Sequence, residues 1–168
     1  MTDRKTVYKW WWVWDFEKEE QWLNSMAIEG WALEDVGFCK YCFVQCKPGE
    51  YTIRLEMHGD DDQYIRFMRE IDAEYIGRVI QWVYFRRKSE YGAFDIFSDI
   101  DSRIKHMNRI AGVLRVVGIG NIIIGLVNAF NYSGFGIINL LLGCLVMYGL
   151  GRIRGKEDEL EKERTLHE

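Results

Sequence analysis

The chain shows two different patterns of hydrophobic positions, one in each of its parts. Over residues 1–97, apolar side chains recur at every second position or at three- and four-residue intervals, among charges of both signs. These are the periods of half-buried strands and amphipathic helices. From residue 116 to residue 151 no side chain is charged and most are apolar. The contrast predicts a compact α+β domain followed by a segment of another kind.

The pattern in the first part predicts four strands and two helices in the order βαββαβ. Asp15 and the acids of residues 59–62 stand where helix N-caps are expected, Gly30 where the first helix ends, and residues 47–50 form a turn. In chain order the predicted elements are a strand over 7–14, a helix over 15–30, strands over 38–44 and 51–57 joined as a hairpin, a helix from 62, and a strand over 79–86.

The two halves of this part also repeat each other at an offset of 42 residues. Similar side chains align without a gap: Trp22 with Tyr64, Leu33 with Tyr75, and Phe43 with Phe85. Each half is then one β-α-β unit. Two interleaved units predict a ferredoxin-like sandwich, in which two helices cover one face of a four-stranded antiparallel sheet.

The first predicted strand carries an unusual aromatic stripe at Trp10, Trp12 and Trp14. If these rings line the open face of the sheet, they are too much apolar surface to leave in water. They would then contact a partner subunit, a flat apolar ligand or the bilayer surface. If they face the helices, they are core. Both alternatives stay open, because the pattern does not assign the stripe to a face of the sheet.

The 36 uncharged residues 116–151 are too long for one membrane crossing. As a single helix they would span about 54 Å, against a hydrocarbon core of roughly 30 Å. The turn-forming residues 131–134 divide them into two arms, which predicts a transmembrane hairpin. A buried helical pair in a soluble protein is the weaker alternative. The basic residues flank only the outer ends, which predicts that both ends are cytoplasmic: Arg103, Lys105, Arg109 and Arg115 before the first arm, and Arg152, Arg154 and Lys156 after the second.

The two arms carry the same small and polar residues at the same spacing. Glycine, asparagine and glycine recur at i, i+3 and i+7, which places them on one face of each helix. This face predicts close packing of the arms against each other, and oligomerisation or a polar path through the membrane is less favoured. The residues are Gly118, Asn121 and Gly125 in the first arm, and Gly136, Asn139 and Gly143 in the second.

A helix joins the two parts. Ser98 and Asp101 have the spacing of a capping box, and the apolar residues that follow recur at helical intervals into the first arm. The predicted organisation is therefore a cytosolic domain over 1–97, a stalk helix over 98–112, the hairpin over 113–151, and a charged cytosolic tail over 152–168.

Composition and motifs argue against most common chemistries. The chain has 22 basic and 26 acidic residues and a net charge of −4, which disfavours nucleic acid as a partner. Cys39 and Cys42 would point to opposite faces of a strand, so we expect free thiols and no metal. The three histidines are scattered, and no acid, base or nucleophile pair stands out. We therefore expect no catalytic residues, no cofactor and no enzymatic activity.

Four stretches of the sequence resemble the domain-of-unknown-function 2812 family. They are Trp-Val-Trp-Asp-Phe-Glu-Lys-Glu-Glu-Gln-Trp-Leu-Asn-Ser-Met at 12–26, Gly-Trp-Ala-Leu at 30–33, Pro-Gly-Glu-Tyr-Thr-Ile-Arg-Leu at 48–55, and Trp-Val-Tyr-Phe-Arg-Arg at 82–87. The likeness covers about residues 5–110, and Asp72-Ala73 departs from it where a second Gly-Trp is expected. The resemblance implies a membrane-anchored bacterial protein, encoded beside PadR-type transcriptional regulators and acting in sensing or in modulating such a regulator.

Two functional hypotheses follow. In the first, the chain is a regulatory or sensory module of the bacterial inner membrane, crossing it twice with both termini in the cytoplasm. Its aromatic face would bind a partner or an apolar ligand, coupled to the hairpin by the stalk. In the second, it is a structural accessory subunit that docks on a transporter or another membrane complex. The expected partners are the lipid bilayer and a protein, either a different one or a second copy.

Overall fold

A computed structural model of the chain describes residues 3–59, 61–97, 99–130 and 135–167, with residues 135 and 167 described by their backbone alone. The chain forms two compact units, Met1–Ile96 and Phe97–Glu168. The first is a mixture of strands and helices, and the second is a pair of long helices. The predicted α+β class followed by a helical hairpin is confirmed.

In its described residues, the first unit contains six strands and two α-helices. The strands form two antiparallel three-stranded sheets, with the orders β1-β3-β2 and β4-β6-β5. Short 3-10 turns lie at Val13–Asp15 and Ser89–Tyr91. The elements are β1 (Arg4–Tyr8), α1 (Phe16–Ile28), β2 (Trp31–Gly37), β3 (Lys40–Gln45), β4 (Tyr51–Met57), α2 (Asp62–Glu70), β5 (Glu74–Val79) and β6 (Trp82–Lys88).

The finer expectation, a ferredoxin-like βαββαβ sandwich on one four-stranded sheet, differs from the structure. Each half is a β-α-β-β unit, and the additional strands are β2 and β5. Two-residue connections join β2 to β3 and β5 to β6, and they contain Cys39 and Ile80 at φ of 56° and 58°. Hairpin turns with positive φ usually carry Asn or Gly. Neither turn contains Asn or Gly, so the residue pattern does not predict them.

The predicted hairpin of β3 and β4 is also wrong. The turn at 47–50 exists, since the Glu50 N–H donates to the Lys47 carbonyl at 3.0 Å. However, β3 pairs with β1 and β2, whereas β4 pairs with β6. The turn therefore carries the chain from one sheet to the other.

The first strand is shorter than predicted and ends before the tryptophans. Tyr8 lies opposite Lys40 in the first sheet, and Met57 lies opposite Trp82 in the second. The helices and hairpins repeat at the predicted offset of 42, but β1 and β4 are 49 residues apart in these registers. Seven extra residues, 9–15, therefore separate β1 from α1 and contain the tryptophan-rich segment.

Helix α1 packs against both sheets. The Trp22 ring lies 5.1 Å from Tyr41 and 5.7 Å from Phe43 on β3, and Phe16 lies 5.3 Å from Trp82 on β6. The apolar stripe of this predicted helix is buried, at Phe16, Leu23, Met26 and Ala27. On the second sheet, Met68 of α2 packs with Val83 and Phe85 of β6, together with Ala73 and Phe94.

Strands β2 and β5 lie side by side, so the two sheets adjoin. A Cβ atom at Gly77 would stand 3.0 Å from a methyl carbon of Val36. The Arg86 guanidinium also donates to the Leu33 carbonyl at 2.8 Å. The two sheets therefore meet at these strands, and α1 contacts both of them.

The second unit consists of α3 (Ile100–Phe130) and α4 (Phe135–His167). With 31 residues, α3 is about 46 Å long at 1.5 Å per residue, which exceeds the roughly 30 Å of a bilayer core. Its capping box is formed by Asp99 and Ser102, with the Ser102 N–H donating to Asp99 Oδ1 at 2.7 Å. Ser98 of the predicted box, like the predicted turn 131–134, lies outside the described residues.

The charged end of α4 lies along the predicted stalk. Arg154 donates to Asn108 at 3.0 Å, and Arg164 pairs with Asp101 at 3.2 Å. Ile110 and Ile153 are fully buried in the same stretch. The two helices therefore remain packed together beyond the uncharged arms, and the stalk is a pair of helices formed by the start of α3 and the end of α4.

Candidate functional site

The main exposed feature of the first unit is an aromatic surface formed by Tyr8, Trp10, Trp12 and Phe38. Their side chains are 75%, 54%, 40% and 68% exposed, respectively. Trp10 contacts Phe38 at 5.8 Å and Trp12 at 5.5 Å between ring centroids, both edge to face. Such a group is larger than the isolated apolar side chains normal on protein surfaces.

The three tryptophans of the predicted stripe have different environments. Trp12 stacks on Trp14 at 5.0 Å between centroids, and Trp14 is only 4% exposed. Trp10 and Trp12 therefore lie on the surface, whereas Trp14 belongs to the core and supports Trp12 from beneath. The alternation expected of a strand does not apply, because residues 9–12 are not in the sheet and 13–15 form a 3-10 turn.

The segment carrying these rings is fixed to the unit. The Lys9 N–H donates to the Cys39 carbonyl at 3.0 Å, which continues the pairing of β1 with β3. The Lys9 ammonium lies 4.3 Å above the Trp11 ring and 4.5 Å from the Trp22 ring, within cation–π distance. The aromatic surface is therefore held in place before anything binds to it.

A buried carboxylate–tyrosine cluster, formed by Glu19, Tyr41 and Tyr84, joins the two sheets through α1. The Tyr41 hydroxyl donates to Glu19 Oε1 at 2.7 Å, and the Tyr84 hydroxyl donates to the same atom at 2.6 Å. Glu19 is 7% exposed. Burial raises the pKa of the Glu19 carboxyl and of both tyrosines. Since the cluster is so little exposed, its role is structural: it links α1 to both sheets.

In the sequence, Glu19 and Glu20 stand near the start of the predicted helix over 15–30, where acidic residues favour a helix N-terminus. Glu19 nevertheless falls on the buried stripe of α1, three residues after Phe16 and four before Leu23. A carboxylate at that position is the available signal of an interior hydrogen bond. Nothing in the sequence identified its two tyrosine partners, because they come from different sheets.

Two further polar residues of α1 cap the free edge of β4. The Asn24 side chain donates to the Ile53 carbonyl and accepts from the Ile53 N–H, both at 2.9 Å. The Glu20 carboxylate accepts from the Leu55 N–H at 3.1 Å and pairs with Arg54 at 3.2 Å. These side chains replace a neighbouring strand, so the run Glu-Glu-Gln-Trp-Leu-Asn at 19–24 is used in assembling the fold.

Replacing Asn24 by leucine is expected to lower the free energy of unfolding of the first unit by about 2–4 kcal/mol. Both backbone groups of Ile53 would lose their partner, at about 1–3 kcal/mol each. Urea unfolding followed by tryptophan fluorescence measures the change. Ser25→Ala, next to it on the exposed side of α1, should stay within about 0.5 kcal/mol. Equal effects of the two substitutions would contradict the capping role.

The four glycines singled out in the arms lie where α3 and α4 approach each other. A Cβ atom would stand 2.9 Å from Met147 at Gly118, 2.7 Å from Leu140 at Gly125, 2.7 Å from Ala129 at Gly136, and 2.7 Å from Ile122 at Gly143. The Asn121 amide donates to the Val117 carbonyl of its own helix at 2.8 Å, and Asn139 is partly buried on α4.

No group of three metal-ligating side chains occurs within the described parts of the chain. Cys39 lies in the β2–β3 turn, Cys42 on β3 and Cys46 just after it, all as free thiols. A surface cavity of about 330 Å³ lies between the turn at 47–50 and residues 88–90. Lys88 there is already paired with Glu90 at 3.3 Å. The absence of enzymatic activity stays a prediction.

The comparison with protein families gives one finding. The model of a family described as a protein of unknown function, DUF2812, matches residues 15–119. Neither the curated proteins nor the solved structures gave a significant match. The matched region begins at the N-cap of α1, includes the cluster and the edge cap, and ends within α3. The chain therefore belongs to the domain-of-unknown-function 2812 family.

Proposed function

We propose that the chain is a membrane-anchored regulatory or sensory module, whose first unit binds a partner or an apolar ligand through the aromatic surface. The observation that carries the proposal is that surface itself. Four large rings are exposed, three of them (Tyr8, Trp10 and Trp12) on a segment that is fixed to a sheet and the fourth (Phe38) in the two-residue β2–β3 turn. Binding would therefore cost little ordering of the protein. Tryptophan and tyrosine are the residues most enriched among the energetically dominant contacts of interfaces.

The helices of the second unit support the anchoring. Both are long and apolar enough to cross a membrane, and only 28% of the most apolar window of each is buried. The outward side chains are those suited to lipid, among them Ile119, Ile123, Leu126, Leu141 and Leu145. The basic flanks favour both termini in the cytoplasm. We place the module at the cytoplasmic face of the bacterial inner membrane.

A PadR-type regulator is the first candidate partner, on the strength of the family resemblance. Burial of Trp10 and Trp12 in the complex should shift tryptophan emission to shorter wavelength in a saturable way. The test is a titration of the detergent-solubilised protein with a PadR-type regulator from the same organism, and with a library of flat apolar compounds.

Paired substitutions make the test specific. Trp10→Ser combined with Phe38→Ser should weaken binding about 30-fold or more, the effect of losing a dominant aromatic contact. Ile28→Ser combined with Phe67→Ser removes two other apolar side chains that are more than half exposed, and should leave binding unchanged. The proposal fails if no candidate gives a saturable response, or if both double variants bind equally weakly.

A further inference from the structure

The outer edge of β1 is an open sheet edge. The Gln45 N–H donates to the Asp3 carbonyl at 2.9 Å, and the Lys9 N–H donates to the Cys39 carbonyl at 3.0 Å. In an antiparallel pair such bonds alternate along the strand, so the odd-numbered residues face β3. The backbone groups of Arg4, Thr6 and Tyr8 therefore point away from the sheet. In the described parts of the chain no hydrogen bond reaches them.

The repeat shows that the fold covers the equivalent edge. Arg4 and Thr6 correspond to Ile53 and Leu55 of β4 in the two registers. In β4 the outward groups of those residues are bonded to Asn24 and Glu20 of α1. The outward groups of Arg4 and Thr6 have no such helix against them among the described residues. One edge is capped from within, and its counterpart is left for another molecule.

The charges that usually protect an edge strand are turned aside here. Lysine and arginine on an edge discourage pairing with other strands. Arg4, however, pairs with Glu34 at 2.7 Å, and the Lys5 ammonium lies 4.2 Å above the Trp31 ring. The Lys9 ammonium lies over Trp11. All three cations are held against their own unit, which leaves the edge accessible.

We propose that β1 pairs antiparallel with β1 of a second copy of the chain, centred on Thr6. This register joins the outward groups of Arg4 with those of the second copy's Tyr8, and Thr6 with Thr6, so each pair exchanges both of its hydrogen bonds. In this register Arg4 lies opposite Tyr8, Lys5 opposite Val7, and Asp3 opposite Lys9. No like charges face each other, so the segment is complementary to itself.

The symmetry also suits a membrane-anchored chain. Pairing about Thr6 is an isologous two-fold contact, the commonest form of homodimer. Two copies anchored in one membrane are related by an axis along the membrane normal, and their confinement raises the effective concentration. The inference goes beyond the proposed function, since it concerns the backbone edge of β1, with which the aromatic surface shares only Tyr8. A failed ligand titration leaves it standing, and a failed dimer test leaves the ligand proposal standing.

Cysteine cross-linking in native membranes tests the register. In the full chain with Cys39, Cys42, Cys46 and Cys144 replaced by serine, Thr6→Cys should give a disulfide-linked homodimer on mild oxidation. The expected Cα separation of about 5.5 Å in a hydrogen-bonded pair suits a disulfide. Lys47→Cys, in an exposed turn, controls for random collision. Equal yields from the two variants, no dimer, or a cross-link to a different protein would overturn the proposal.

A second pair of variants addresses the hydrogen bonds directly. Thr6→Pro removes the outward N–H without touching the β3 ladder, and Thr6→Val retains it. Single-molecule photobleaching in liposomes should show the Thr6→Pro dimer weakened about tenfold or more, with Thr6→Val close to the parent. Unchanged tryptophan emission shows that the proline variant is folded. Equal dimer fractions in all three proteins would refute pairing through β1.

Discussion

Replacing Glu19 by alanine is expected to lower the free energy of unfolding of the first unit by about 3–5 kcal/mol. The Tyr41 and Tyr84 hydroxyls would both lose the carboxylate oxygen that they share, and each buried donor without an acceptor costs about 1–3 kcal/mol. The link that these two hydrogen bonds make between α1 and both sheets would be lost as well. Urea unfolding followed by tryptophan fluorescence reports on this unit specifically, because all seven tryptophans lie within residues 10–82.

The conservative variant Glu19→Gln separates the hydrogen bonds from the charge. The amide oxygen still accepts from the tyrosines, so its effect should be well below that of alanine. Little difference between the two variants would mean that the shared acceptor contributes little to stability, and that the cost comes from packing alone.

The raised pKa of Glu19 predicts that the free energy of unfolding depends on pH. Burial raises the pKa of Glu19 above its ordinary 4.5, so the folded protein holds this proton more tightly than the unfolded chain. The contribution of Glu19 to stability is therefore greatest below about pH 4.5 and falls as the pH rises through the raised pKa. Glu20, whose pKa is raised by burial as well, acts in the same direction. In Glu19→Gln the decline should be smaller, and parallel stability curves for the two proteins would contradict the assignment.

The second large effect is expected in the hairpin, where Gly136→Ala should weaken the packing of α3 against α4. The added Cβ would stand 2.7 Å from the Ala129 nitrogen and 2.8 Å from the Gly125 carbonyl oxygen. Both are backbone atoms, so no side chain can turn away to relieve the clash. Overpacking of this kind costs about 1–3 kcal/mol. The matched control is Gly120→Ala on α3, where a Cβ meets nothing within 4 Å.

Energy transfer between dyes measures the separation of the helices. Cysteines at positions 101 and 164, whose native side chains are 3.2 Å apart, carry donor and acceptor in a background without native cysteines. Transfer should be lost at a lower SDS concentration in Gly136→Ala than in the parent, and Gly120→Ala should follow the parent. Equal midpoints in all three proteins would show that the glycines do not limit the approach of the helices.

Local patterns predicted the elements that depend on near neighbours. The buried stripe of α1, its end at Gly30, the continuous helix through the stalk and the division of the chain by polarity all follow from spacing along the sequence. The strands β2 and β5 were missed because their turns use Phe38-Cys39 and Ile80-Gln81, which carry no turn signal. The alternating pattern groups Trp14 with Trp10 and Trp12, but alternation holds only within a strand, and residues 9–15 lie between β1 and α1.

The sequence by itself determined which segments are apolar and whether their apolar residues recur with the period of a helix or of a strand. The physical reason is that an element buries one face only if apolar side chains recur at the period of that element. It also established the family. Only the tertiary structure decided that β3 and β4 belong to different sheets and that Glu19 joins both of them. It also decided that α1 caps β4 and that β1 is left open. The bonds made by Glu19, Glu20 and Asn24 join residues 22 to 65 positions apart, and a hydrogen bond across that separation forms only when the fold brings both partners together.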